Sequence, residues 1–292
     1  MKQSIACLVT PEMANNDNHQ RIPAIFRAAG WRVVVALHDA LRVKNQAVMI
    51  DNSDCQSFDL IWPIGLGPHT TFVDRIQILS LIDQPRLITQ AMAYVTLHGK
   101  TAWLSYAPST VVARDAASIM EHFEHNPGEW VLKPVAGSFG HGVQRITRAV
   151  EIHQAINTAP DQFWMLQRYI PEIAQGETRT LVCGTKVLGS YLRRPNPTNA
   201  NEFRSNMGLD ALAEPAIPNQ ITKTLIADVH RDLCAAGIGF ASIDTAGGYL
   251  IEVNIANPGG LGTMCKLYGN EFTNASSQAV VTAATEQVAA NS

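Results

Sequence analysis

The chain has 292 residues, 46% of them hydrophobic, with 22 basic and 25 acidic side chains for a net charge of −3. That length exceeds a minimal domain and fits one compact multi-lobed unit or two to three small lobes, with enough apolar material for a real core. The near-neutral balance implies no polyanion partner, which excludes nucleic acid as a first reading.

Five cysteines, Cys7, Cys55, Cys183, Cys234 and Cys265, are widely spaced and form no CxxC pair. Neither a zinc site nor a redox motif is suggested, and a reducing cytoplasm is expected. The opening MKQSIACLVTPE carries one lysine and an apolar run cut short by Thr10, Pro11 and Glu12. It is too brief for a signal peptide, and no later stretch approaches a membrane span, so no membrane partner is expected.

In chain order, residues 1–99 alternate SIACLVT, a helix from about His19 to Ala29, WRVVVAL, FDLIWPIG, a helix from about Thr70 to Asp83, and RLIT. This alternation predicts a Rossmann-like lobe with a parallel sheet. It lacks GxGxxG after its first strand, which removes the main support for dinucleotide binding. Residues 100–170 read as a small α+β lobe: STVVAR, a helix beginning near Asp115, EWVLKPVA, a glycine loop, VQRIT, another helix and FWMLQRYI.

Residues 171–292 open on TLVCGTKVLGSYLRR, a hairpin turning at Cys183-Gly184 or Gly184-Thr185. A polar stretch from Pro195 to Pro218 is long enough to be a functional loop. Ile221, Leu225, Val229 and Leu233 then mark a helix ending at Gly237. FASIDTAGGYLIEVN, a second glycine-rich loop and an alanine-rich tail helix complete the chain.

Two constellations carry chemistry. In VLKPVAGSFGHGV, glycines let the backbone approach an anion, and Lys133, extended because Pro134 follows it, projects from a strand beneath the loop. The loop could fold over a polyphosphate; a glycine-rich hairpin turn is also often only a turn. The spacing matches neither GxxxxGK[ST] nor the GxGxxG of a kinase. In IDTAGGYLIEVN, Asp244 and Glu252 lie almost symmetrically about Gly247-Gly248, so a hairpin brings them roughly opposite each other, and Asn254, two residues on, shares the face of Glu252. Three oxygen donors, two anionic, suit magnesium held together with phosphates. An exposed hairpin with solvated acids is the alternative, and the apolar run around Glu252 speaks against it.

Together these motifs resemble the ATP-grasp superfamily, and within it the bacterial glutathione synthetases. The resemblance rests on GKTAWL, VLKPVAGSFGHGV, MLQRYIPEIAQGETR, LRRP, EFRSNMG and IDTAGGYLIEVNIANPGG in that order. It implies an ATP-grasp α/β fold, an N-terminal Rossmann-like lobe (1–99) followed by two α+β lobes (100–170 and 171–292) that clamp ATP. Lys100 and Lys133 would hold the ATP phosphates under a lid from Gly137 through Ser138, Phe139 and Gly140 to Gly142, with Ser138 and Phe139 sealing it. Gln167, Arg168, Tyr169 and Ile170 match the segment whose backbone meets adenine, and Glu177 the acid that bonds the ribose. Asp244, Glu252 and Asn254 match the magnesium ligands, with manganese as an alternative ion. Arg179, Arg193, Arg204 and Asn206 fall where the family keeps side chains for phosphates and substrate carboxylates; Arg194 reads as structural.

The implied reaction joins a small-molecule carboxylate to an amine through an acyl phosphate, with no covalent enzyme nucleophile. Alternatives are a ligase adding glutamate to a protein or peptide tail and a non-catalytic ATP-binding regulator. WPIGLGPHTT departs from the glutathione synthetase pattern, so a related amino-acid or peptide ligase is as reasonable a reading as glutathione synthesis from γ-glutamylcysteine. Trp62, Pro63 and His69 either line an altered substrate site or are ordinary core, strand-end and loop residues. The relatives commonly form dimers or tetramers, to which the tail helix could contribute.

Overall fold

In the computed structural model, which describes residues 2–10, 16–136, 141–195 and 211–291, the first lobe is built around β1 (Ser4–Val9), whose six residues are all buried. Such a run belongs to a central strand covered on both faces. α1 (Asn18–Ala28) leads to β2 (Arg32–Leu37), and after an excursion the chain returns as β6 (Leu60–Ile64), giving a parallel sheet in the order β2-β1-β6. The excursion is a small antiparallel sheet, β3 (Leu41–Lys44), β4 (Ala47–Ile50) and β5 (Ser53–Asp54), which the sequence pattern does not reveal.

α2 (Phe72–Leu79) and α3 (Ala93–Thr96) follow. Between them the RLIT run makes single bridges, Ile61 to Leu87 and Thr89 to Ile238. With Ile88 N–H on Ile61 O at 3.0 Å and Gln90 N–H on Gly237 O at 3.0 Å, it stitches the first lobe to the last.

β7 (Thr110–Ala113), α4 (Ala116–His125), β8 (Trp130–Pro134), β9 (Gln144–Ile146), α5 (Ala149–Thr158) and β10 (Trp164–Arg168) form the middle lobe, an antiparallel sheet ordered β7-β10-β8-β9. Asp115 caps α4, its carboxylate accepting from Ser118 N–H at 2.8 Å. Ile119, Trp130, Leu132, Ile152 and Leu166 close a core belonging to this lobe.

The last lobe is a five-stranded antiparallel sheet, β13-β12-β11-β14-β15, made of β11 (Glu177–Cys183), β12 (Lys186–Arg194), β13 (Leu212–Pro215), β14 (Phe240–Ala246) and β15 (Tyr249–Asn254). Cys183 pairs with Lys186, so the first hairpin turns at Gly184-Thr185. α6 (Gln220–Ala235) buries Ile226, Val229 and Leu233 against one face of the sheet. Ile221, the expected start of that stripe, is 70% exposed, because the first turn of α6 passes over the Gly247-Gly248 turn beyond the sheet.

α7 (Leu261–Ala290) breaks at Gly269 and packs Val280, Ala283 and Ala284 against Leu181, Cys183 and the first lobe's Ile88. The apolar stripe of the tail helix is thus spent inside the chain. The first and last lobes share both of their cores, whereas the middle lobe has its own. Among the described residues, no helix is long and apolar enough to cross a membrane.

Candidate active site

β8 delivers Lys133 to a cleft between the middle and last sheets. Its ammonium donates to Gln167 Oε1 at 2.8 Å, and Gln167 Nε2 donates on to Thr110 Oγ1 at 3.0 Å, a chain crossing β8, β10 and β7. Lys133 is buried, and that burial pushes its pKa down to about 8, against the pull of the Glu252 carboxylate. Lys100, from the 3₁₀ segment Lys100–Tyr106, reaches the same cleft, with Nζ 3.6 Å from Glu252 Oε1 and 3.4 Å from Val135 O. Trp103, Met165, Leu250 and Val253 supply apolar walls around these polar groups.

The opposing wall depends on a bulge. Gly247 and Gly248 have φ of 56° and 82°, the left-handed pair that a two-residue hairpin turn needs. Regular pairing outward from that turn would set Asp244 against Ile251. The register instead shifts between Asp244 and Thr245, so that Asp244 opposes Glu252 and Ser242 opposes Asn254. The extra residue returns both acids and the amide to one face, where strict alternation would have split them.

On that face the sheet holds a buried charge cluster. Asp244 accepts from Arg179 Nε at 2.8 Å and Nη2 at 2.6 Å, and from Arg193 Nη2 at 2.7 Å, while Arg193 also pairs with Glu177. All four residues are at most 9% exposed. Burial by itself would raise the Asp244 pKa; the two guanidinium groups outweigh it and hold the carboxyl below its usual range. Glu177 moves the opposite way, because burial and the neighbouring Asp244 charge outweigh Arg193. Glu177, the residue expected at a ribose, pairs with Arg193 here.

Tyr191, not singled out from the sequence, stands opposite Arg179 on this face and is 1% exposed. Its i, i+2 spacing to Arg193 was the available signal. A Cβ at Gly260, whose φ is 127°, would lie 2.9 Å from the Tyr191 hydroxyl, so glycine is needed where the loop crosses the ring.

Four buried side-chain atoms have no hydrogen-bond partner among the described residues: His98 Nδ1, His122 Nε2, Arg193 Nε and Ser242 Oγ. Arg193 and Ser242 share the Asp244 face, and the charges of Glu252 and Lys100 act on His98. An unpaired buried polar group costs about 1–3 kcal/mol. His122 lies apart, on α4 of the middle lobe against Trp130; the grouping of the other three around Asp244 and Glu252 fits a cation with phosphates at this face. No group of three or more His, Cys, Asp or Glu forms a metal cluster among the described residues. The donor set here is two carboxylates and an amide, which fits a hard ion carrying phosphate oxygens.

At the end of β10, Arg168 N–H donates to Ser109 O at 2.8 Å and Tyr169 N–H to Glu129 O at 2.9 Å, so these two N–H groups are paired within the protein. The Arg168 side chain stacks on Trp130 at 4.2 Å and donates to Pro127 O, and Arg145 lies 4.4 Å over Tyr169. Ile170 is buried below the Gly247 turn. Gly137, Ser138, Phe139, Gly140, Arg204 and Asn206 lie outside the described residues; Gly142, with φ of 72°, closes the connection from β8 to β9. Arg194 forms a half-exposed pair with Glu214 at 3.1 Å.

At the departure in the first lobe, Trp62 is core, 3% exposed and edge-on to Phe240 at 5.3 Å, while His69 is exposed. The stretch is shaped by Arg75, which is 5% exposed and donates to Leu66 O, Pro68 O and Thr71 Oγ1. Gly65 N–H meets Ala256 O at 2.9 Å, docking this loop beside the end of β15. Cys7, Cys55 and Cys183 are buried, and burial pushes each thiol up to about 12, so none is poised as a nucleophile.

The family described as prokaryotic glutathione synthetase, ATP-grasp domain, matches residues 99–269. The chain belongs to that family. A glutathione synthetase of Parasynechococcus marenigrum (strain WH8102) is 32% identical over 215 residues, covering 70% of this chain and 68% of the relative. One from Thermosynechococcus vestitus (strain NIES-2133 / IAM M-273 / BP-1) is 34% identical over 179 residues, covering 58% and 53%. The chain thus aligns with between about half and two thirds of these relatives' lengths. Among solved structures, the ATP-grasp ligase PsnB complexed with minimal precursor, Mg and ADP superposes with a TM-score of 0.69 over 96% of this chain and 97% of that one, at 14% identity. The architecture is that of ATP-grasp ligases, and the chain is an enzyme of that carbon–nitrogen bond-forming class.

Proposed function

We propose that the chain uses ATP and magnesium to join the carboxylate of a small amino acid or peptide to an amine, through an acyl phosphate. The observation that carries this reading is the meeting of Lys100, Lys133 and Glu252 in one cleft whose walls come from two sheets, with Asp244 and its arginines alongside. A free carboxylate resists an amine because its leaving group is poor; phosphorylation by ATP supplies a good one. Lys100 and Lys133 would neutralise the phosphates of ATP as charge spreads in the transfer. A magnesium ion held by Glu252, Asn254 and Asp244 would supply Lewis-acid stabilisation of the same oxygens.

Arg179 and Arg193, already aimed by Asp244, have the planar donors that suit the transferred phosphoryl group and the acceptor carboxylate. Glu177 and Asp244 share the Arg193 Nη2, which holds that guanidinium between the two carboxylates. Gln167 keeps the Lys133 ammonium over the cleft. The Gly137–Gly142 stretch is the proposed lid, whose task is to keep water from the acyl phosphate.

The docking of Gly65 on Ala256 supports a further step: the loop held by Arg75 bounds the organic-substrate end of the cleft. Its departure from the glutathione synthetase pattern leaves γ-glutamylcysteine as one candidate among several. The test is phosphate release from ATP and magnesium with γ-glutamylcysteine and glycine beside a panel of amino acids and dipeptides. Release with at least one pair is expected. Phosphate release independent of any carboxylate would overturn the ligase reading.

A further inference from the structure

Ser242 is 0% exposed, and its hydroxyl has no hydrogen-bond partner among the described residues. Other hydroxyls in the same sheet are matched: Thr180 pairs with Ser190 at 2.8 Å, and Thr245 Oγ1 donates to Thr178 O at 3.4 Å. Ser242 sits two residues before Asp244 on the same face, directly opposite Asn254 across the β14–β15 ladder. Side chains paired in this way are neighbours in space.

Asn254 presents an amide whose two ends have nearly the same shape and opposite chemistry. Its oxygen can ligate a cation and its NH₂ cannot. In this structure Oδ1 accepts from Ala256 N–H at 3.2 Å, leaving a second lone pair on that oxygen. Nothing in that single bond sets where the NH₂ end points once the oxygen turns to a metal. The Ser242 hydroxyl oxygen is an acceptor for it.

We propose that Ser242 is a positioning residue: in the magnesium–nucleotide complex it accepts a hydrogen bond from Asn254 Nδ2 and so fixes the amide with its oxygen towards the metal. This rests on the proposed metal role of Asn254. It explains why a hydroxyl occupies a sealed position where alanine would fit without an unsatisfied group. The bond forms only when Asn254 rotates for the ion, and the hydroxyl waits unpaired in the free chain.

The experiment measures Mn²⁺ affinity by electron paramagnetic resonance in the full chain with ADP, for wild type, Ser242→Ala, Asn254→Ala, the double variant and Glu252→Ala. Thermal melts are recorded with and without the ion, and KM for Mg²⁺ is separated from kcat where a substrate pair is in hand. Ser242→Ala should weaken Mn²⁺ about tenfold or more, as loss of an outer-shell partner does. Its metal-free melting temperature should be equal to or above wild type, and ADP affinity without metal should not change. In the Asn254→Ala background, Ser242→Ala should have no further effect.

Unchanged Mn²⁺ affinity in Ser242→Ala, with a clear loss in Glu252→Ala, would overturn the Ser242 proposal alone. An equal loss from Ser242→Ala with or without Asn254 would do the same, because the hydroxyl would then act elsewhere. Unchanged affinity in Glu252→Ala would instead remove the metal assignment beneath it.

Discussion

Two parts of the molecule bury guanidinium groups and neutralise them differently. In the last sheet, Arg179 and Arg193 face the carboxylates of Asp244 and Glu177, two positive charges against two negative ones. In the first lobe, Arg75 is held by neutral oxygens, those of Leu66, Pro68 and Thr71. The contrast separates a working cluster from a staple. A balanced cluster of ions can exchange one partner for a phosphate or a metal and remain compensated. A cation gripped by carbonyls can only shape the loop that supplies them.

Arg193→Met should break the first arrangement most severely. It leaves Glu177 and part of Asp244 buried without compensation, a loss of about 3–5 kcal/mol. Urea unfolding would measure it, and adding Glu177→Gln should recover part of the loss, since the double variant no longer buries that unpaired acid. Arg75→Met should cost less, about 1–3 kcal/mol for the unpaired acceptors. It should leave nucleotide affinity unchanged and raise KM for the organic substrates; a raised Kd for ATP would contradict the division between the two regions.

The pH dependence of Lys133 sharpens the same contrast. Burial lowers its folded pKa from 10.5 to about 8, so between those values the unfolded chain holds a proton that the folded chain has lost. Stability therefore gains a rising contribution from Lys133 across that window. ATP capture follows the opposite slope, because kcat/KM for ATP should fall as the free enzyme's ammonium titrates near pH 8. Lys133→Met should remove both slopes, which paired denaturation and rate profiles would register. The smallest effect belongs to Ile221→Ser, expected within about 0.5 kcal/mol of wild type because the side chain faces solvent.

How much of this was legible in the sequence differs along the chain. The elements around Lys133, Asp244 and Glu252 followed from apolar runs punctuated by glycine and proline, since turn chemistry and strand alternation are local. The pairing of Asp244 with Glu252 was expected from the near-symmetry about Gly247-Gly248 and is found, but the bulge that makes it register was not legible, because plain counting from the turn falls one residue short. The same holds for Ile221, whose spacing continues a stripe that the sheet below does not extend to meet. The Arg179–Asp244–Arg193–Glu177 cluster joins the β11–β12 hairpin to β14, some fifty residues further on, so its residue types could be read and the pairing of both arginines with Asp244 could not. In the first lobe, β3 to β5 are too short and mixed to announce themselves, and Trp62 resolves as core only when Phe240, from the far end of the chain, packs on it.

The central claim is that ATP activates a carboxylate in the cleft shared by Lys133 and Glu252. Its most direct test is to incubate the chain with ATP, magnesium, hydroxylamine as a trapping amine and a panel of amino-acid and peptide carboxylates, reading ADP and hydroxamate together, beside Glu252→Ala. Equal amounts of ADP and hydroxamate with at least one carboxylate, and neither product from the variant, are predicted. ADP formed without a carboxylate, or formed equally by Glu252→Ala, would contradict the account.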